Sequence, residues 1–474
     1  MGVLLTFAYC SAPIPPSMSQ TLPAPPALGA SAVNTSYVVG IAFIAALGGY
    51  LFGFDFAVIS GALPFLRREF ALDAWWEGFL TGSLALGCMA GCLVAGQLAD
   101  RYGRRPGLLL AAGIFAGSSL AMAFAPSLTL FVVARFAAGI GVGMASMLSP
   151  LYIAEVSPAA VRGRNVAINQ LTVVVGILVT NLVNYLLADQ GPDAWRWMFG
   201  LGAVPAALFL LGVLWLPESP RWLAQAGQVA RAEAVLHKIG NPAFVEATLA
   251  ELAARAGAGE PKARFRDVLR ADVRPAVVVG VALAVFQQFC GINVVFNYTS
   301  TIFAAVGADL NRQLLETIGI GVVNLAFTLV AMFLVDRLGR RPLLLFGALG
   351  LTVSYLALAF LLQTHAAPGL VSGVVLAAIG TYGLSLAPVT WVVISEIFPT
   401  RIRGVASSVA TVALWGAYFV LVFTFPILAQ AIGTYGPFYL YAGICLLGFF
   451  FVRARVKETK GQTLEQLEET FARH

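Results

Sequence analysis

The sequence predicts an all-α membrane protein, with 12 transmembrane helices in two pseudo-symmetric six-helix bundles and a cytoplasmic helical linker between them. Three observations predict it. Of 474 residues, 59% are hydrophobic and only 11% are charged, where a soluble domain carries about 25% charged residues, and mean hydropathy is +0.85. Apolar windows, each suited to a span of roughly 20 residues, fall into two groups of six. Charged motifs at the ends of those windows occur twice.

Residues 1–36, rich in Pro, Ala and Ser, read as a disordered leader. They lack the basic n-region of a signal peptide, and Met18 is an alternative start to Met1. The first bundle, 37–216, holds apolar windows at 37–60, 76–98, 107–125, 128–154, 165–188 and 197–216, read from helical length and hydropathy. Residues 217–274 are polar, and "QVARAEAVLHKIG" and "EATLAELAARAG" have the periodicity of short amphipathic helices, which suits a linker lying at the membrane surface. The second bundle, 275–452, holds windows at 275–303, 314–335, 342–362, 370–397, 404–428 and 434–452, and 453–474 is a charged tail.

A net charge of +6 raises the question of nucleic acid, which the location of the cations answers. Of 29 Lys and Arg, 24 lie in the loops after the even-numbered windows, in the linker or in the tail. Arg67, Arg68, Arg196 and Arg312 lie on the opposite side, and Arg135 sits inside a window. By the positive-inside rule both termini are cytoplasmic, in a multi-pass protein of the cell (inner) membrane. The cations serve topology, so the lipid bilayer is the partner expected and nucleic acid is not. Cys10, Cys88, Cys92, Cys290 and Cys445 lie mostly in apolar windows and have no ligand spacing to His237, His365 and His474. They read as small core residues. No metal, cofactor or enzymatic acid/base constellation is expected.

The internal repeat is the most specific signal. "DRYGRRP" at 100–106 returns as "DRLGRRP" at 336–342. Glu155, Pro158, Arg162 and Gly163 return as Glu396, Pro399, Arg403 and Gly404 with identical spacing. Both copies sit at equivalent window ends, so the halves are related by an axis along the membrane normal. Such a chain can rock one half against the other around a midplane site, which argues for transport. Because the Arg fork matches a carboxylate, Asp100, Arg101, Arg105, Glu155 and Arg164, with Asp336, Arg337, Arg341, Glu396 and Arg403, are expected to form an inner gate that bridges the halves when the inside is shut.

With "PESPRWL" at 217–223, "QQFCGINVVFNYT" at 287–299 and "ETKGQTLEQLEE" at 458–469, the chain resembles the sugar porter branch of the major facilitator superfamily. That branch includes bacterial sugar:proton symporters and mammalian glucose facilitators. The likeness runs from about residue 37 to 470; Lys457 departs from it, standing where the last motif usually begins with proline.

A sugar site needs groups that donate and accept, with aromatic faces for the C–H surface of the ring. Gln287, Gln288, Asn293 and Asn297 supply such amides in an otherwise apolar window. The resemblance implies that Gln170, Gln287, Gln288, Asn293, Asn324 and Trp391 contact the sugar, with Phe52 and Trp415 walling the pocket. Asn297 stands where many relatives have a tyrosine, Leu414 where a polar amide is common, and Ile177 where some pentose carriers have glutamine. Fewer amides on that wall favour a hexose over a pentose.

Asp55 is a carboxylate inside an apolar window, "GGYLFGFDFAVISG". Such a group is costly and functional by default, so it wants a partner, and Arg135 is the basic residue placed well inside a window. The two are expected to pair while Asp55 is ionised and to separate when it takes a proton. The resemblance supports coupling, since proton-coupled members carry aspartate at this position and facilitators an amide. The function expected is a monomeric proton-coupled monosaccharide symporter working by alternating access. A passive uniporter that keeps the pair for structure, or a polyol or inositol:proton symporter, remains the alternative.

Overall fold

The computed structural model describes residues 33–257, 265–270, 272–399 and 401–460. Most of the leader, the middle of the linker and the tail beyond Lys460 lie outside the described residues. Among those described, twelve helices are long and apolar enough to cross a membrane. Spans 1 to 6 are Thr35–Phe70, Ala74–Tyr102, Arg104–Ala123, Leu128–Val156, Ala159–Gln190 and Ala194–Trp215. Spans 7 to 12 are Arg274–Asn297, Leu310–Val335, Arg340–Gln363, Pro368–Ile397, Arg403–Ile432 and Gly436–Arg455.

Local chemistry sets the ends. Asn34, Asp73, Ser127 and Asp309 cap spans 1, 2, 4 and 8 by accepting from the backbone N–H three residues on, satisfying donors that a helix start leaves free. Gly103 and Gly339, the glycines of the repeated motif, have φ of 105° and 89°. Each turns the chain from one span into the next in a single residue, a conformation that favours glycine.

Four windows differ from expectation. Span 7 is not one helix over 275–303. It breaks after Phe289, where Gly291 has φ 89° under the Tyr441 ring, resumes as Ile292–Asn297 and continues after Tyr298 as Thr299–Ala304. Span 10 breaks at Ser385 and span 6 at Leu201–Gly202. Span 1 runs to Phe70 rather than stopping at 60, straight through Pro64. A proline inside a helix forfeits the bond to the carbonyl four residues back, and in a membrane that carbonyl must find another donor. The Ser60 carbonyl finds Ser300 Oγ at 2.5 Å. Span 11 repeats the device: Pro426 frees the Val422 carbonyl, which accepts from Tyr298 OH at 2.9 Å. Both freed acceptors are filled from the broken end of span 7.

Within each half the helices approach closely. A Cβ on Gly53 of span 1 would stand 2.0 Å from the Val173 carbonyl of span 5, the small-residue contact expected where lipid gives helices no hydrophobic reason to associate. The linker helices Pro220–Gln225, Val229–Ile239 and Pro242–Gly257 dock on one end of the first half. Tyr152 OH donates to the Pro217 carbonyl, Trp222 Nε1 to the Asp100 carbonyl and Asn34 N–H to the Ile239 carbonyl. Val38 packs with Leu236, Ile239 and Val245. This end is the linker face, and the opposite end is the far face.

Candidate functional site

Asp55 of span 1 and Arg135 of span 4 meet inside the first half. Arg135 Nη1 lies 3.4 Å from Asp55 Oδ1, with side chains 0% and 1% exposed, and the guanidinium lies 5.6 Å from the centre of the Phe199 ring of span 6. Among the described residues, Asp55 Oδ2 and Arg135 Nε and Nη2 make no hydrogen bond. One contact in an apolar shell is a poor return for burying two charges, since such pairs stabilise only when geometry is excellent and the remaining donors are satisfied. Elsewhere in the chain an arginine and a carboxylate are locked together by a fork: Arg104 binds Glu155 through Nε at 2.9 Å and Nη2 at 2.8 Å. The buried Asp55–Arg135 pair lacks the bidentate geometry of the Arg104–Glu155 contact.

In the second half the span 7 amides form one chain of hydrogen bonds. Gln287 Nε2 donates to the Leu386 carbonyl at 3.4 Å, next to the break in span 10, and Gln288 Nε2 donates to Gln287 Oε1 at 3.0 Å. Asn293 Nδ2 donates to Gln288 Oε1, and Asn297 Nδ2 donates to the Asn293 carbonyl at 2.6 Å and to Tyr418 OH at 2.9 Å. The break at Gly291 lets residues on both sides of it share this stripe, which a straight helix would rotate apart. All four amides are buried. Phe52 of span 1 stands edge-on to Trp415 of span 11 at 5.8 Å, closing the stripe from the first half. Gln170 and Trp391 are exposed, and Asn324 is buried, its Oδ1 3.8 Å from where a Cβ on Gly383 would be. Among the described residues no hydrogen bond joins these three to the span 7 amides.

The repeated charges pair differently from expectation. Arg104 and Arg340, rather than Arg105 and Arg341, hold Glu155 and Glu396, the second pair at 3.0 Å. The reason is position: the first residue after the positive-φ glycine lies over the carboxylate, while the second reaches helix-end carbonyls. Arg105 donates to the carbonyls of Val213 and Leu214, and Arg341 to that of Arg453, where the negative end of a helix favours a cation. Asp100 lies 3.6 Å from Arg104, Arg101 stacks on Tyr102, and Arg403 Nε donates to the Phe398 carbonyl. Arg164 and Arg337 are exposed, and the Asp336 side chain lies outside the described residues. Each of these contacts stays within one half, so among the described residues they do not form the bridge expected of an inner gate.

Glu218 and Glu458, which the sequence reading passed over, complete the pattern. Glu218 accepts from the N–H groups of Arg104, Arg105 and Ser219, and Glu458 from those of Arg340, Arg341, Thr459 and Lys460, each carboxylate sitting at a span's N-terminus. Burial pushes Glu218 up despite these donors; Glu458, less buried, is also pushed up by burial but is held below its ordinary value by the N–H donors. As pH falls, Glu218 therefore takes its proton first. Amide exchange at Arg104 and Arg105 is expected to speed up at a higher pH than exchange at Arg340 and Arg341, as hydrogen exchange read by mass spectrometry would show.

The halves touch from the midplane to the far face. Beyond Ser300 and Ser60, Asn181 Nδ2 donates to the Thr317 carbonyl at 2.8 Å, and Arg67, which forks onto Glu77, also reaches Thr301 at 2.6 Å. A Cβ on Gly78 would meet the Phe423 carbonyl at 2.2 Å. Ser300→Ala leaves the proline-freed Ser60 carbonyl without its donor, a loss of about 1–3 kcal/mol. The expected result is a shift of roughly 5-fold or more toward opening of the far face, read by spin-label distances between spans 2 and 11.

Two six-helix halves closing on a polar midplane stripe, with a buried titratable pair beside it, define a membrane transporter rather than an enzyme. The chain belongs to the family described as sugar (and other) transporter, whose model matches residues 41–471. It is 39% identical over 462 residues to the glucose transport protein of Synechocystis, covering 92% of this chain and 98% of that one. It is 37% identical over 474 residues to the D-xylose-proton symporter of Escherichia coli, with 92% and 96% covered. Its fold is similar to a partially occluded inward open conformation of the E. coli xylose transporter XylE, with TM-score 0.81, 35% identity and coverage of 90% of this chain and 100% of that one.

Proposed function

We propose that this chain is a proton-coupled monosaccharide symporter that works by alternating access as a monomer, with its linker face in the cytoplasm. The observation that carries the proposal is the single-contact Asp55–Arg135 pair, buried and otherwise unsatisfied. A proton reaching Asp55 from the far face removes one charge, releases Arg135 and frees span 1 to move. A hexose sits on Gln287, Gln288, Asn293 and Asn297, against Phe52 and Trp415, with Gln170, Asn324 and Trp391 closing on it from the other spans. Among the described residues, the inter-half contacts named above lie at the midplane and far face, and with the likeness to an inward open relative they support a conformation open to the linker face. When that face shuts, the charges of the two repeated motifs, Asp100, Arg101, Arg105, Glu155 and Arg164 with Asp336, Arg337, Arg341, Glu396 and Arg403, rearrange to bridge the halves. One charge moving inward through 100 mV gains about 2.3 kcal/mol.

Uptake of labelled glucose, galactose, xylose and inositol into proteoliposomes, with and without an inward proton gradient, tests this. Gradient-dependent accumulation of a monosaccharide is expected. Equilibration that ignores the gradient would make the chain a uniporter, and transport of inositol alone would move the substrate to polyols.

A further inference from the structure

Asp55 and the sugar stripe belong to different halves, so coupling them requires a contact between halves. Span 1 supplies one. While Asp55 turns to Arg135, the next residue, Phe56, turns to the second half, its ring 5.6 Å from that of Phe296 in span 7 and 5.9 Å from that of Tyr418 in span 11. Tyr418 is 2% exposed, and its hydroxyl trades hydrogen bonds with the Asn297 amide at 2.9 and 3.2 Å. The Asn297 amide also holds the Asn293 carbonyl. From the ion pair to the sugar amides there is no gap: Phe56, Tyr418, Asn297 and Asn293 follow by direct contact.

We propose that Phe56 and Tyr418 are the positioning residues through which the Asp55–Arg135 pair sets sugar affinity. This rests on the symporter reading above. The step is steric, because the Phe56 ring has no polar atom. When protonation of Asp55 frees span 1, Phe56 shifts against the Tyr418 ring, the hydroxyl carries the Asn297 amide with it, and Asn293 moves into or out of register with a sugar hydroxyl. The element with two arrangements is span 1, biased on one side by the proton at Asp55 and on another by the second half through Phe56, which is what physical coupling requires. The titratable groups near Asp55 are Arg135 of span 4, Cys88 of span 2 and Tyr418 of span 11. Of these, Tyr418 also touches the sugar amides.

Linkage gives the test, because a proton that changes sugar affinity must do so by a definite factor. Equilibrium binding of whichever labelled sugar is taken up fastest would be measured across pH for purified full-length wild type, Phe56→Leu, Tyr418→Phe and Asp55→Asn. Wild-type affinity is expected to change by about tenfold across the Asp55 titration, within the usual range of coupling, and Asp55→Asn to fix it at the protonated value. Phe56→Leu and Tyr418→Phe are expected to cut the change to under about twofold, with sugar still bound. If Phe56→Leu does not fold, Tyr418→Phe, which keeps the ring, carries the test alone. Full pH linkage in the variants, or an equal loss of affinity at every pH, would overturn the positioning role while leaving symport standing. A wild type without linkage would overturn both.

Discussion

Asp55→Asn is expected to reduce sugar accumulation to the equilibrium ratio while exchange of internal for external sugar continues at near wild-type rate. The substitution keeps shape and removes charge, so it holds the site in its protonated form. Arg135 Nη1 retains an acceptor in the amide oxygen, which matters because an arginine left wholly uncompensated costs about 3–5 kcal/mol. The expected loss is therefore of coupling and not of folding. The pH dependence of exchange should flatten in the same variant, since the group that binds the transported proton is gone. Counterflow and gradient-driven uptake from one preparation would check both.

Gln288→Ala is expected to weaken sugar binding by one to two orders of magnitude with little change in fold. Gln288 is the middle of the amide chain, donating to Gln287 and accepting from Asn293. Its loss strips a partner from each neighbour, at about 1–3 kcal/mol per unsatisfied buried group, and removes a sugar contact; each 1.4 kcal/mol is tenfold in affinity. Asn324→Ala, at a residue that the hydrogen bonds do not join to that chain, should raise KM less. Michaelis parameters for both variants under zero-trans conditions distinguish a shared site from interhelical polar packing, which is worth only about 0.6 kcal/mol on average.

The helical architecture was legible because it rests on composition and on a repeat. Twelve apolar windows and a doubled DRxGRRP motif already imply two matched halves. Span ends were less legible: the first window stops at 60, yet the helix runs on through Pro64 because Ser300, distant in sequence, satisfies the carbonyl that the proline frees. The choice between Arg104 and Arg105 could not be read from spacing, because it depends on the φ of 105° at Gly103, which sets which side chain faces Glu155. Glu218 and Glu458 did leave a signal, as matched acids after spans 6 and 12, and were noticed only as parts of separate motifs. Asp55 and Arg135 were legible because charges in apolar spans are few. Phe56 and Tyr418 were not, since one more aromatic in an aromatic-rich span looks like packing until the ring across the interface is known.

The most direct measurement of the central claim is proton movement on sugar addition. Wild type and Asp55→Asn would be reconstituted in proteoliposomes with a trapped pH indicator, without a pre-set pH gradient and with potassium and valinomycin clamping the potential at zero. The account predicts that external sugar acidifies the lumen of wild-type vesicles in fixed proportion to the sugar that enters, and that Asp55→Asn vesicles exchange sugar without any acidification. Sugar entry into wild-type vesicles with no accompanying acidification would contradict it.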